Sequence, residues 1–218
     1  MTDTVDRFKD SDVLNDRIAS NASPTRYFVL AAWAFVLSPF SVVAHELGHF
    51  LVALAAGFPA TLHYSSVKGI HGTPPFGEQP IAVALAVFAG PAVTFLLMIG
   101  SVAAFRRDSS RLWALALVAV APVRMATALF FGLLLILNST GRVLVTSSAT
   151  FDELVTLRVL GLPESLAALS ALVLIAGLIW TVRNVPPNRW LSMVAIALGS
   201  VAGYLTWFGI LGPWLLPA

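Results

Sequence analysis

Cysteine is absent from this 218-residue chain, which excludes a disulfide framework and a thiolate metal site, so any bound metal must be held by His, Asp or Glu. Charge is scarce as well, at 11% of residues, and the basic side chains behind the net charge of +2 are scattered. That excludes the clustered basic face of a nucleic-acid-binding protein. What fills the chain instead is apolar: 58% of residues, against about 45–50% in an ordinary soluble domain. A lipid bilayer is therefore the expected surroundings.

Residues 1–26 are polar, with Val5, Phe8, Leu14 and Ile18 at loosely helical spacing, and are expected to form a short interfacial helix. They lack the short apolar stretch after a basic start that marks a cleaved signal peptide, so the first apolar run is expected to be retained. Residues 27–218 read as one polytopic domain. Five apolar runs, at about 27–58, 80–105, 112–137, 166–182 and 190–216, each approach the ~20 residues of a spanning helix. The fold expected is an all-α integral membrane protein of about five transmembrane helices. Between the first two runs, Thr61 to Val67 is β-compatible and a Gly/Pro-rich stretch follows, which predicts a short strand or hairpin. The third and fourth are separated by a polar loop running into Phe151 to Arg158, where helical spacing resumes.

Basic residues near the span ends divide unevenly. Arg7, Lys9, Arg17, Arg26, Arg106, Arg107, Arg111, Arg183 and Arg189 fall on the amino-terminal side, and only Lys68, Arg142 and Arg158 on the other. The positive-inside rule then predicts a plasma-membrane protein with a cytoplasmic amino terminus.

Chemistry concentrates in the first run. His45-Glu46-Leu47-Gly48-His49 puts two imidazoles at i and i+4, one turn apart on one helix face, which is the spacing of two zinc ligands. Glu46 lies beside the first of them, where a carboxylate can take a proton from water and later deliver it to a leaving amine. Three ionisable groups within five residues inside a bilayer are costly without compensation, and a divalent cation compensates them. Core histidines bonded to neighbouring helices are the bland alternative.

Depth locates the remaining ligand. His45 lies eighteen residues after Tyr27, about 27 Å along a helix rising ~1.5 Å per residue, so the motif sits beyond the midplane. The loop before the fourth span emerges on that same side. It carries Asp152 and Glu153, the acidic pair from which a third ligand is expected; Asp152 is preferred and Glu153 is the alternative. His63 and His71 reach that side as weaker candidates. Near the centre of the third run Arg124 needs a partner, with Asp152, Glu153 or free carbonyls as the options. Gly90-Pro91 falls at the depth of the motif, where Pro frees a carbonyl and either a kink beside the metal or an ordinary packing kink is expected.

These residues together resemble the site-2-type intramembrane zinc metalloproteases and their smaller bacterial relatives. The resemblance rests on His45 to His49, on Ala89-Gly90-Pro91-Ala92-Val93-Thr94, and on Phe151-Asp152-Glu153 followed by Leu160-Gly-Leu-Pro163. It implies zinc held by His45, His49 and Asp152, Glu46 as general base, and hydrolysis of peptide bonds in transmembrane protein substrates. The chain departs from that family in lacking its Asn-Pro and Leu-Asp-Gly context and in carrying Thr94 where Asn is usual. A substrate helix hides its carbonyls and must unwind, so the Thr61 to Val67 strand is a candidate to hold the extended stretch by edge pairing. A catalytically silent zinc-binding scaffold and a metal transporter are the rival readings; the first would need no Glu46 and the second would spread its ligands over several helices.

Overall fold

The computed structural model describes residues 24–70, 79–124, 152–185 and 188–216. It is mostly helical, with one small sheet. In chain order the elements are helix α1 (Pro24–Ala55), strands β1 (Thr61–Leu62) and β2 (Val67–Lys68), helices α2 (Pro80–Arg107), α3 (Leu112–Val120), α4 (Asp152–Val159), α5 (Leu169–Asn184) and α6 (Arg189–Thr206), and a short α7 (Gly212–Leu215). A 3₁₀ turn (Ala121–Arg124) follows α3, another (Glu164–Ala168) leads into α5, and a π turn (Trp207–Leu211) joins α6 to α7.

Among the described residues, four segments are long and apolar enough to cross a membrane: Pro24–Ala55, Pro80–Arg107, Glu164–Asn184 and Arg189–Leu215. They match the first, second, fourth and fifth expected runs to within a few residues. The third run is helical over its described part, Leu112–Val120 followed by the 3₁₀ turn, and its remainder lies outside the described residues. The expected interfacial helix over residues 1–26 also lies outside them, except for the three residues that open α1, as does His71.

Helix α3 is the axis of the bundle. Ala114 to Val120 are all buried, because the helix is apolar on every side and packs Leu30 and Leu37 of α1, Met98 and Phe105 of α2, and Ile196 of α6 around it. Around that axis α1 and α6 run side by side in close contact. Gly199 and Gly203, four residues apart on one face of α6, lie so near the carbonyls of Ala31 and Phe35 that any Cβ would collide with them. Ser38 and Ser200 hydroxyls meet at 3.1 Å in the same seam. Pro39 cannot donate to Phe35, so the Phe35 carbonyl against Gly203 lacks its ordinary helical partner.

The predicted strand is a two-rung antiparallel hairpin, with Thr61 opposite Lys68 and Leu62 opposite Val67. Gly69 makes its left-handed turn at φ +89°, pressed against the Pro59 carbonyl. Val67 and Ile70 anchor the hairpin in a second apolar cluster with Ala53 of α1 and Val83, Ala86 and Val87 of α2, with Val155 and Val159 of α4 packed against it. The hairpin thus covers the end of the bundle where α1 finishes and α2 begins. Its tip is tied to the carboxy-terminal segment: Trp207 Nε1–H donates to the Tyr64 carbonyl at 2.8 Å, and Tyr64 N–H donates to the Leu216 carbonyl at 3.3 Å.

Candidate metal centre

The site forms where α1, α2 and α4 meet. Helix α1 crosses α2 antiparallel, and the approach is close because Gly48 has no side chain: a Cβ there would lie 2.8 Å from the Ala89 carbonyl oxygen. Both histidines of α1 consequently face α2, and both are buried along with Glu46. Helix α4 begins at Asp152, which delivers its carboxylate to the two rings. A left-handed Gly161 (φ +66°) and the Arg158–Glu164 ion pair (2.7 Å) then turn the chain into the fourth span.

Three side-chain atoms converge. His45 Nε2 lies 2.9 Å from Asp152 Oδ2, His49 Nε2 lies 3.2 Å from the same oxygen, and the two Nε2 atoms are 3.1 Å apart. Other ring nitrogens bind α2: His45 Nδ1 meets Thr94 Oγ1 at 2.9 Å, and His49 Nδ1 meets the Ala86 carbonyl oxygen at 2.9 Å. That carbonyl can only accept, so His49 Nδ1 carries the hydrogen and a neutral His49 turns a bare lone pair toward the triangle. Burial pushes the Asp152 carboxyl up, but hydrogen bonds and charge from His45 and His49 outweigh it and hold it below the usual carboxylate range. Its oxygen is an acceptor too.

Electron-rich atoms crowded to about 3 Å repel unless a hydrogen or a cation lies among them, and all three approaches are of hydrogen-bond length. A tetrahedral zinc with bonds of ~2.0–2.1 Å needs neighbouring ligand atoms roughly 3.3 Å apart. The triangle sides fall 0.1–0.4 Å short of that on the distances above, so a small outward shift seats the ion. Imidazoles whose far nitrogens are held by a carbonyl and a hydroxyl also have the outer support usual for metal-binding histidines. His45, His49 and Asp152 could therefore hold a metal ion, and no other such group occurs among the described residues.

Gly90 makes room for it. A Cβ on this residue would stand 2.6 Å from His45 Nε2 and nearer still to His49 Nε2. Ala86, Gly90 and Thr94 thus present to the rings, at successive turns of one α2 face, a carbonyl, an open space and a hydroxyl. Helix α2 continues unbroken through Pro91.

The expected residues fare differently. His45 and His49 are together, and Asp152 joins them, so the choice between the acidic neighbours falls on Asp152. Glu153 instead lines a cavity of about 310 Å³ with Phe88, Phe95, Leu157 and Leu169. His63 is buried in the hairpin and does not belong to the ligand group. The side chain of Arg124 lies outside what is described, and its expected pairing with it. Thr94 enters the site through its bond to His45, and Gly90 through what it leaves empty; the signal for both was the four-residue spacing Ala86, Gly90, Thr94 opposite the motif. No protein-family model, curated protein or solved structure matches the chain.

Proposed function

We propose that this protein is a zinc metalloprotease that hydrolyses peptide bonds of transmembrane protein substrates within the bilayer. One observation carries the proposal: two His inside a helix apolar enough to span a membrane, with a buried Glu next to the first of them in sequence, form a three-ligand group with Asp152 of α4. Three protein ligands leave a fourth position open, which distinguishes a catalytic from a closed structural zinc site.

A zinc ion bound there supplies Lewis acidity, polarising a substrate carbonyl and acidifying water. Everything else belongs to the chain. Successive helix residues are ~100° apart, so Glu46 lies about 60° around α1 from His49, on the ligand side of the helix. From there its carboxylate can take a proton from attacking water and return it to the leaving amine. Asp152 and the two imidazoles hold the reacting centre against α2, and Gly90 keeps it clear. Asp152 is also the open side of the triangle, with its side chain 33% exposed against 5% for each imidazole. Water and an unwound substrate segment would enter along α4. The hairpin lies at the same end of the bundle and could hold that segment by its edge, although its Tyr64 backbone groups are already engaged.

Membrane residence is supported by the apolar exterior. Phe28, Trp190, Leu205 and Trp214 are among many large apolar side chains that face outward, far beyond the patches of an ordinary monomer. Arg26, Arg106, Arg107, Arg111, Arg183 and Arg189 cluster at the helix ends remote from the hairpin, which supports a plasma-membrane protein with the amino terminus inside.

The test is cleavage by purified protein in proteoliposomes, with single-span membrane proteins as substrates and fragments identified by mass spectrometry. Glu46→Gln should keep its metal and lose cleavage by about 10²–10⁴-fold. Wild-type cleavage by this variant would end the proposal. A metal-loaded wild type that cuts nothing would favour the silent scaffold.

A further inference from the structure

Two α2 groups hold the imidazoles, and they differ in one chemical respect. The Ala86 carbonyl can only accept, so His49 keeps its hydrogen on Nδ1 in every neutral state. Thr94 Oγ1 can accept from His45 Nδ1 or donate to it across the same 2.9 Å. His45 therefore has a choice that His49 lacks.

With Thr94 accepting, His45 carries its hydrogen on Nδ1 and the triangle is three bare acceptors, the arrangement that suits a cation. With Thr94 donating, the ring hydrogen is on Nε2. It then points at Asp152 Oδ2, 2.9 Å away, with the bare His49 Nε2 at 3.1 Å. The second arrangement places a hydrogen inside the metal-free triangle, shared between Asp152 Oδ2 and His49 Nε2, which themselves lie 3.2 Å apart, whereas the first places none there. Neither residue has a solvent alternative, since Thr94 is 2% and His45 4% exposed.

Resting on the metal reading above, we propose that Thr94 is a positioning residue that lets His45 exchange tautomers, with the hydrogen on Nε2 in the metal-free site and on Nδ1 in the loaded one. The number of hydrogens on the ring does not change. As the ring hydrogen passes from Nε2 to Nδ1, the threonine hydroxyl hydrogen must turn to another acceptor, which for a helical Thr in the appropriate rotamer is a carbonyl three or four residues back. Thr94 thus keeps the empty site intact and also fixes the ring when metal arrives.

Thr94→Val retains the shape and loses both hydrogen-bonding modes, whereas Thr94→Ser keeps both. Zn²⁺ affinity of the purified full chain, measured against a competing chelator, should fall about 10–100-fold in Thr94→Val. Thr94→Ser should recover it to within a few-fold. Nitrogen-15 spectra of histidine-labelled protein supply a reading independent of affinity. Wild-type His45 should pass from hydrogen on Nε2 to hydrogen on Nδ1 when Zn²⁺ is added, while His49 stays on Nδ1 throughout.

Thr94→Val binding Zn²⁺ as tightly as wild type would overturn the inference and leave the metal reading standing. So would a metal-free His45 already carrying hydrogen on Nδ1, alone or on both nitrogens. A wild type that binds no Zn²⁺ would overturn the metal reading itself, and this inference with it.

Discussion

Replacing Gly90 with Ala adds one methyl group to the middle of α2, a change that ordinarily favours a helix by about 1 kcal/mol. Here that methyl points into the ligand triangle. Its carbon would lie 2.6 Å from both His45 Nε2 and His49 Cε1, and closer to His49 Nε2. A comfortable separation is about 3.5 Å, so the rings or the helix must retreat by roughly 1 Å. Metal–ligand distances ordinarily stay within about 0.2 Å of their usual values, so a ring displaced by roughly 1 Å no longer coordinates. Loss of one of three ligands should weaken zinc binding on the order of 100-fold or more, and because the rings crowd the methyl without metal too, overpacking of about 1–3 kcal/mol offsets the helix gain in the metal-free protein. The assay is metal content per purified chain, followed by competition titration and thermal unfolding in the same detergent. Gly100→Ala is the matched control, because it lies in the same helix and a Cβ there meets nothing within 4 Å. Gly90→Ala with a full, wild-type-affinity complement of metal would refute the assigned position of the ion.

Five further variants test the ligands and other parts of the structure. His45→Ala, His49→Ala and Asp152→Ala should each lower bound metal to below a tenth of wild type by elemental analysis, and a variant retaining stoichiometric metal is not missing a ligand. Trp207→Phe removes the 2.8 Å bond to the Tyr64 carbonyl, a loss of about 1 kcal/mol; backbone hydrogen exchange at residues 63–66 should rise with metal content unchanged, and unchanged exchange would detach the tip from the carboxy-terminal segment. Gly199→Val drives a branched side chain into the Ala31 carbonyl and should lower the unfolding temperature by several degrees; an unchanged melt would show that α1 and α6 can separate without loss.

Much of the site was legible because its parts are local. His45 and His49 fall on one face of α1 through the 3.6-residue period alone, whatever packs against them. Asp152 could be brought to the right end of the bundle by counting spans, since a loop between the third and fourth runs must emerge where α1 finishes. Counting could not separate it from Glu153. That choice depends on the rotation of α4 about its axis, which is set by Leu154 in the core and by Val155 and Val159 packed against the hairpin cluster. Thr94 was harder to assign, because a lone hydroxyl on an apolar helix looks the same facing lipid or a histidine. The burial of the third run was harder to read for a related reason: continuous apolarity looks the same facing lipid or neighbouring helices, and residues 114–120 are buried throughout.

By itself the sequence determined what covalent spacing and solvent preference control: the apolar segments, the absence of thiolate ligands, the paired imidazoles with their adjacent carboxylate, and the hairpin between the first two spans. Tertiary structure decided what depends on separate segments meeting. It settled which acid completes the triangle, which α2 groups orient each ring, and why residue 90 must lack a side chain. Those outcomes follow from helix rotation and approach to within about an ångström, and that precision comes only from packing the whole bundle.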